Sequence, residues 1–232
     1  MILFIFIDSQ IYVIHSQKIN STLMKFKFLI TLAFFLSFSF LTHGQEENHK
    51  FKIGFNYGIG ETDKFPFSTD EYTYDIQFYK IQLNYLIMEW HKFDFEINVE
   101  PSYYRTKHQL LNKYFVTPNE PDYLEKREEY TKLKTMNEYV LGIGFLVRYP
   151  IVDKLSVSVL GSIGPMYIDT VTERMAKGFA FSDVLSFGLT YKINKLAFDV
   201  RYGVRHVSNA ELQQPNSGYN STNLEFGVLV DL

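Results

Sequence analysis

The chain has no cysteine among its 232 residues. That excludes a disulfide framework and a thiolate-held metal site. An excess of one charge is also missing. Lys and Arg number 23 against 26 Asp and Glu, a net charge of −3, which gives no support for nucleic acid as a partner. Beyond residue 44 no long helical period appears. What the chain has in quantity is aromatic side chains, 22 Phe and 17 Tyr. Aromatic girdles at membrane interfaces produce such a composition, and so do strand-rich cores. The length suits one domain.

The early residues have a different layout. Met24-Lys25-Phe26-Lys27 is followed by an uncharged run over 28–41 and then by Thr42-His43-Gly44. A short positive segment, an apolar segment and a small residue make a secretory signal peptide, here 24–44 with the cut after Gly44. Residues 1–23 do not fit this unit and are read as a non-native extension upstream of a start at Met24. The competing reading is a retained anchor. Against it, the apolar run is short of the roughly 20 residues a spanning helix needs, and Asp8, Gln10 and Lys18 interrupt what precedes it. No cysteine follows the run, so no cysteine-linked lipid anchor is expected.

From 45 to 232 the pattern is alternation with period two, which marks strands. About eight are expected. The first covers Phe51 to Ile59 and the second Tyr72 to about Met88, with a parity shift near Tyr79-Lys80 that suggests a bulge. In the third, Phe93, Phe95, Ile97 and Val99 alternate with Asp94, Glu96, Asn98 and Glu100. The fourth carries Tyr139, Leu141, Ile143, Phe145 and Val147 on one side. The fifth starts at Leu155 and ends near Ile168, the sixth covers about Phe179 to Ile193, the seventh Leu196 to Ser208, and the eighth Leu224 to Leu232. Each is long enough to cross a bilayer when tilted, which takes roughly 9–11 residues.

Alternation alone does not separate a soluble sandwich from a membrane barrel. The connections do. Those after strands two, four and six are a few residues each. Those over about 60–71, 108–137, 169–178 and 209–221 are longer. Strict alternation of short and long connections is the pattern of an all-β, eight-stranded, antiparallel up-and-down outer-membrane β-barrel. Closure leaves no edge strand in lipid, and an eight-stranded lumen is filled by side chains. The longest loop is charged, with Lys126-Arg127-Glu128-Glu129, Lys132 and Lys134. A solvated surface loop is the plain reading; cations that meet the phosphates of a glycolipid are the alternative.

The chemistry concentrates near the C-terminus, in His206-Val207-Ser208-Asn209-Ala210 and Pro215-Asn216-Ser217-Gly218-Tyr219-Asn220. On a strand His206 and Ser208 point to one side, at the end of the stripe Leu196, Phe198, Val200, Tyr202 and Val204. Asp199, Arg201 and Arg205 take the other side. With the N-terminus periplasmic, the pair lies at the outer end of strand seven and faces lipid. Serine hydrolysis needs a base within reach of the hydroxyl, a group that orients the base, and donors for an oxyanion. His-x-Ser by itself is a weak signal, and an interfacial histidine with no catalytic role is the bland reading.

The motif resembles that of the lipid A 3-O-deacylase (PagL, acyloxyacyl hydrolase) family. The resemblance covers about fifteen residues. It implies an eight-stranded outer-membrane barrel with a serine–histidine–glutamate triad at its lipid-facing outer end. It assigns Ser208 as nucleophile, His206 as general base and acid, and Asn216 as oxyanion donor, with Asn209 in support and the amide near Gly218 as a further donor. It implies a carboxylic ester hydrolase acting on lipopolysaccharide, with outer-membrane lipid around it, no metal and no cofactor. One position departs: Asn220 stands where the family has glutamate. Asn220 shares the parity of Thr222 and Leu224 and is placed beside His206, whereas Glu225 points inwards. An asparagine can orient an imidazole but brings no charge to the imidazolium, so a slower enzyme is expected. Competing readings are a structural or adhesion barrel with a degenerate site, and a soluble secreted β-sandwich. A homodimer stays open as a partner.

Overall fold

The computed structural model describes residues 50–62 and 64–232. The expected signal peptide over 24–44, the extension over 1–23 and His49 lie outside the described residues. Eight strands follow in chain order: β1 (Phe51–Glu61), β2 (Tyr72–Trp90), β3 (Phe93–Leu110), β4 (Lys134–Val152), β5 (Leu155–Ile168), β6 (Gly178–Ile193), β7 (Leu196–Ser208) and β8 (Tyr219–Asp231). Each pairs antiparallel with the next, and β8 returns to β1, so the sheet closes. A closed ring rules out the sandwich.

Period-two alternation decides which side chains face where. On β7 the residues Leu196, Phe198, Val200 and Tyr202 are exposed on the outer wall, while Asp199, Arg201 and Arg205 are buried in the lumen. The lumen is polar, and its charges are matched. Lys80 donates to Glu225 at 2.7 Å and to Glu100 at 3.2 Å, and Arg201 donates to Glu100 at 2.7 Å and to Gln82 at 2.9 Å. Unpaired charges there would carry a large desolvation penalty.

Towards the long-loop end the lumen changes character. Tyr74, Ile76, Phe78, Tyr104, Met136, Met166, Ile168 and Tyr219 form an apolar plug, in which the Tyr74 ring stacks on Tyr219 at 4.0 Å and on His108 at 4.1 Å. This explains the parity shift in strand two. No bulge lies at Tyr79-Lys80, where the β1 register runs without a break. Apolar residues face inwards up to Phe78 because the outer part of β2 packs on the plug and presents Asp75 and Gln77 outside. From Tyr79 onwards the apolar residues face outwards, because the wall is now against lipid. The bulge sits further down, between Leu86 and Met88.

The connections between β2 and β3, β4 and β5, and β6 and β7 are tight turns, and the long ones cover 62–71, 111–133, 169–177 and 209–218. The charged loop is shorter than expected because β3 and β4 extend into it. It also holds a 3-10 turn (Lys113–Phe115) and a helix, α1 (Tyr123–Tyr130), with no buried residue. A helix with no face to bury leaves no apolar period in the sequence. Lys126, Lys132 and Lys134 pair with Glu120, Glu128 and Glu129 of the same loop.

Candidate active site

The ends of β7 and β8 bring the motif residues together on the outer wall. His206 is the register partner of Asn220. The imidazole Nδ1 and Asn220 Oδ1 lie 2.7 Å apart. An amide oxygen only accepts, so Nδ1 carries the proton and Nε2 is left as an acceptor. Ser208 follows two residues on, half-buried and on the same face. No hydrogen bond joins Ser208 Oγ to His206 among the described residues. The two stand one pleat repeat apart, ~7 Å along the strand, a separation that side-chain rotation and bound substrate have to close.

The connection 209–218 supplies the remaining motif residues. The Asn209 N–H donates to Asn216 Oδ1 at 2.8 Å, and Asn209 Nδ2 donates to the Gln213 carbonyl at 2.8 Å. Asn209 is fully buried and staples the loop. With its oxygen engaged, Asn216 presents its NH2 group as a donor. Gly218 has φ +63, and a Cβ there would meet Val207 O at 2.8 Å, His206 Cε1 at 3.5 Å and Ser208 Cβ at 3.7 Å. The glycine therefore sits against both candidate catalytic side chains. Its own N–H is directed to Arg174 O at 3.3 Å, whereas Asn216 Nδ2 donates to no group among the described residues.

Two neighbouring loops brace this region through contacts that were not visible in the sequence. Arg174, in the connection after β5, donates through Nε to Gly218 O and through Nη2 to Ser217 O at 3.0 Å. Its guanidinium lies 4.3 Å from the Tyr72 ring, and the Ala176 N–H donates to Pro215 O at 2.9 Å. Asp169 anchors the start of the same loop. Partial burial would raise its pKa, but the Asn137 backbone N–H, the Asn137 side chain and the Thr170 hydroxyl outweigh that and hold it below the usual aspartate range. From the connection after β1, Phe65 O accepts from Tyr202 Oη at 3.1 Å and from Thr222 Oγ1 at 3.0 Å. That loop caps the stretch of outer wall just below the His206–Asn220 pair.

The other side of His206 holds a residue that sequence reasoning passed over. On β6 the register partner of His206 is Asp183, exposed on the same outer wall, and the partner of Ser208 is Phe181. A signal was available, since Asp183 has the parity of Leu185, Phe187, Leu189 and Tyr191 and is a charge in an apolar stripe. Glu225, as its parity required, faces the lumen and pairs with Lys80 at 2.7 Å.

A closed antiparallel barrel with a polar lumen and an apolar outer band is an outer-membrane β-barrel, and here it carries a histidine, a serine and an asparagine on its outer wall. Residues 123–228 match the family model described as Lipid A 3-O-deacylase (PagL), a span that includes the whole C-terminal motif. The resemblance read from that motif agrees with this match. No curated protein matches the chain. Among solved structures, the chain is similar to the outer membrane enzyme PagL, at 14% identity over 76% of this chain and 97% of that one, with a TM-score of 0.46. It is also similar to Neisserial surface protein A, at 11% identity over 79% and 97%, with a TM-score of 0.46.

Proposed function

We propose that this chain is a lipid A deacylase of the outer membrane, a serine esterase that hydrolyses an ester-linked acyl chain at the 3-O position of the lipid A part of lipopolysaccharide. The observation that carries the proposal is the His206–Asn220 hydrogen bond beside Ser208 on the lipid-facing wall. A polar constellation in that place is costly unless it has work to do there, and the family match over 123–228 supports lipid A deacylation as that work.

In this reading Ser208 Oγ attacks the ester carbonyl while His206 Nε2 takes the hydroxyl proton. Asn220 keeps the ring in the tautomer that can accept it. The negative charge that develops on the carbonyl oxygen is met by Asn216 Nδ2. The intermediate collapses, the sugar oxygen leaves with the proton from His206, and an acyl-serine remains. Water then attacks the acyl carbon and gives its proton to His206. Ser208 recovers the proton as the fatty acid departs. The chain's own residues supply every proton transfer. The acyl tail lies along the outer wall, against Tyr202, Val204 and Phe181.

A second reading, a non-catalytic barrel with a degenerate site, is favoured by one observation: asparagine, not an acid, contacts His206. Mass spectrometry of lipid A from cells that express the wild type or Ser208→Ala decides. Loss of one ester-linked acyl chain with the wild type only is the expected result. No loss with either, with both proteins folded in the outer membrane, would sink the esterase.

A further inference from the structure

Asn220 fixes the imidazole but brings no charge to the imidazolium that forms when His206 accepts the serine proton. β6 holds a charge on the opposite side. Asp183 is paired in register with His206 from β6, as Asn220 is from β8. All three side chains leave the same face of the sheet. Directly opposed residues on adjacent antiparallel strands have Cβ atoms about 4.5–5.5 Å apart. Along β6 the outward neighbours of Asp183 are Phe181 and Leu185, and its partner on β5 is Ile163, itself 57% exposed on the wall. The carboxylate is thus bordered by apolar side chains on three sides and by an imidazole on the fourth. Among the described residues it has no hydrogen bond and no ion pair. An ionisable group on a lipid-facing wall is expensive and is expected to have a partner and a function.

We propose that Asp183 is a positioning residue of the His206 site. Its carboxylate stabilises the imidazolium from the β6 side while Asn220 orients the ring from the β8 side. The two tasks that one glutamate at 220 would combine are divided between the strands that flank β7. The proposal rests on the esterase reading and adds the source of the negative charge.

The test is the rate of acyl release from purified lipopolysaccharide by the detergent-solubilised protein as wild type, Ser208→Ala, Asp183→Asn, Asp183→Glu, and Asp183→Asn combined with Asn220→Glu. A fixed charge beside a group that becomes an ion in the transition state stabilises it most where water is excluded. Asp183→Asn is therefore expected to lower kcat on the order of tenfold to a hundredfold with KM unchanged. Asp183→Glu keeps most of the rate. The added Asn220→Glu returns kcat to within a few-fold of the wild type, because it supplies the charge from the other strand. A purely structural role for Asp183 would not be rescued in that way. Wild-type kcat in Asp183→Asn overturns the inference, and so does a loss that Asn220→Glu leaves unrepaired in a folded barrel. A wild type as inert as Ser208→Ala sinks the esterase reading and this inference together, a different result from an active wild type with an unimpaired Asp183→Asn.

Discussion

His206 and Asn220 face each other across β7 and β8 and share a 2.7 Å hydrogen bond on the outside of the barrel. Nothing in the sheet ladder needs that bond, since the strands are already paired through their backbones. Its consequence is to fix which imidazole nitrogen can accept a proton. Asn220→Ala removes the constraint and should lower kcat about tenfold, the worth of one oriented hydrogen bond of about 1–1.5 kcal/mol. Asn220→Glu should raise kcat by no more than a few-fold, because Asp183 already sets a charge beside the ring. Initial rates of acyl release check both. Full activity in Asn220→Ala would remove Asn220 from the site.

Asn216 separates a structural role from a chemical one. Its Oδ1 accepts from the Asn209 N–H at 2.8 Å and holds the loop; in the proposed reaction its Nδ2 is the donor offered to an oxyanion. Asn216→Asp keeps the acceptor and replaces the donor with negative charge. The barrel should stay as stable as the wild type in a heat-induced mobility shift on gels. The rate should fall about a hundredfold or more in kcat, the usual cost of losing one oxyanion donor. A variant that retains its rate would show that the oxyanion is stabilised elsewhere.

Gly218 is constrained twice. Its φ of +63 lies in the left-handed region, and an added Cβ would come within 2.8 Å of the Val207 carbonyl oxygen. Gly218→Ala should destabilise the barrel by about 1–2 kcal/mol from the backbone conformation alone. The same methyl would stand 3.5 Å from His206 Cε1 and 3.7 Å from Ser208 Cβ. Activity should therefore fall by more than the loss of folded protein accounts for. Activity per folded molecule, measured beside thermal unfolding, tests this. A loss of activity that only tracks unfolding would limit Gly218 to the turn.

The sequence made the strands legible wherever one face meets lipid and the other a polar lumen, because that contrast has a period of two. β5 and β7 run from Leu155 to Ile168 and from Leu196 to Ser208, as the alternation required. The pattern misled at Tyr79-Lys80, where two different environments reverse the apolar side without any change of register. The candidate site was legible as a cluster where its residues are close in sequence: His206, Ser208, Asn209, Asn216, Gly218 and Asn220. Arg174 was hidden because its contacts join two loops more than forty residues apart. The charge of Asp183 stood out in its apolar stripe, but its place beside His206 was hidden, because register is set by pairing between strands and not by either strand alone.

The lumen beneath the site offers the last test. Arg205 donates to Glu138 at 2.6 Å, and the Tyr219 hydroxyl donates to the same carboxylate at 2.6 Å. Both Arg205 and Glu138 are fully buried. Tyr219 lies between Gly218 and Asn220, so this network fixes the start of β8 from inside while Asn220 works outside. Glu138→Ala strands a buried guanidinium without its anion and should cost about 3–5 kcal/mol. Tyr219→Phe loses one hydroxyl but keeps the stack on Tyr74 at 4.0 Å, and should cost about 1–2 kcal/mol. Urea titration of the barrel refolded in lipid vesicles gives both values. If Tyr219→Phe also slows acyl release in barrels that remain folded, the inner network holds Asn220 in register. An unchanged rate would mean that the backbone pairing of β7 with β8 suffices.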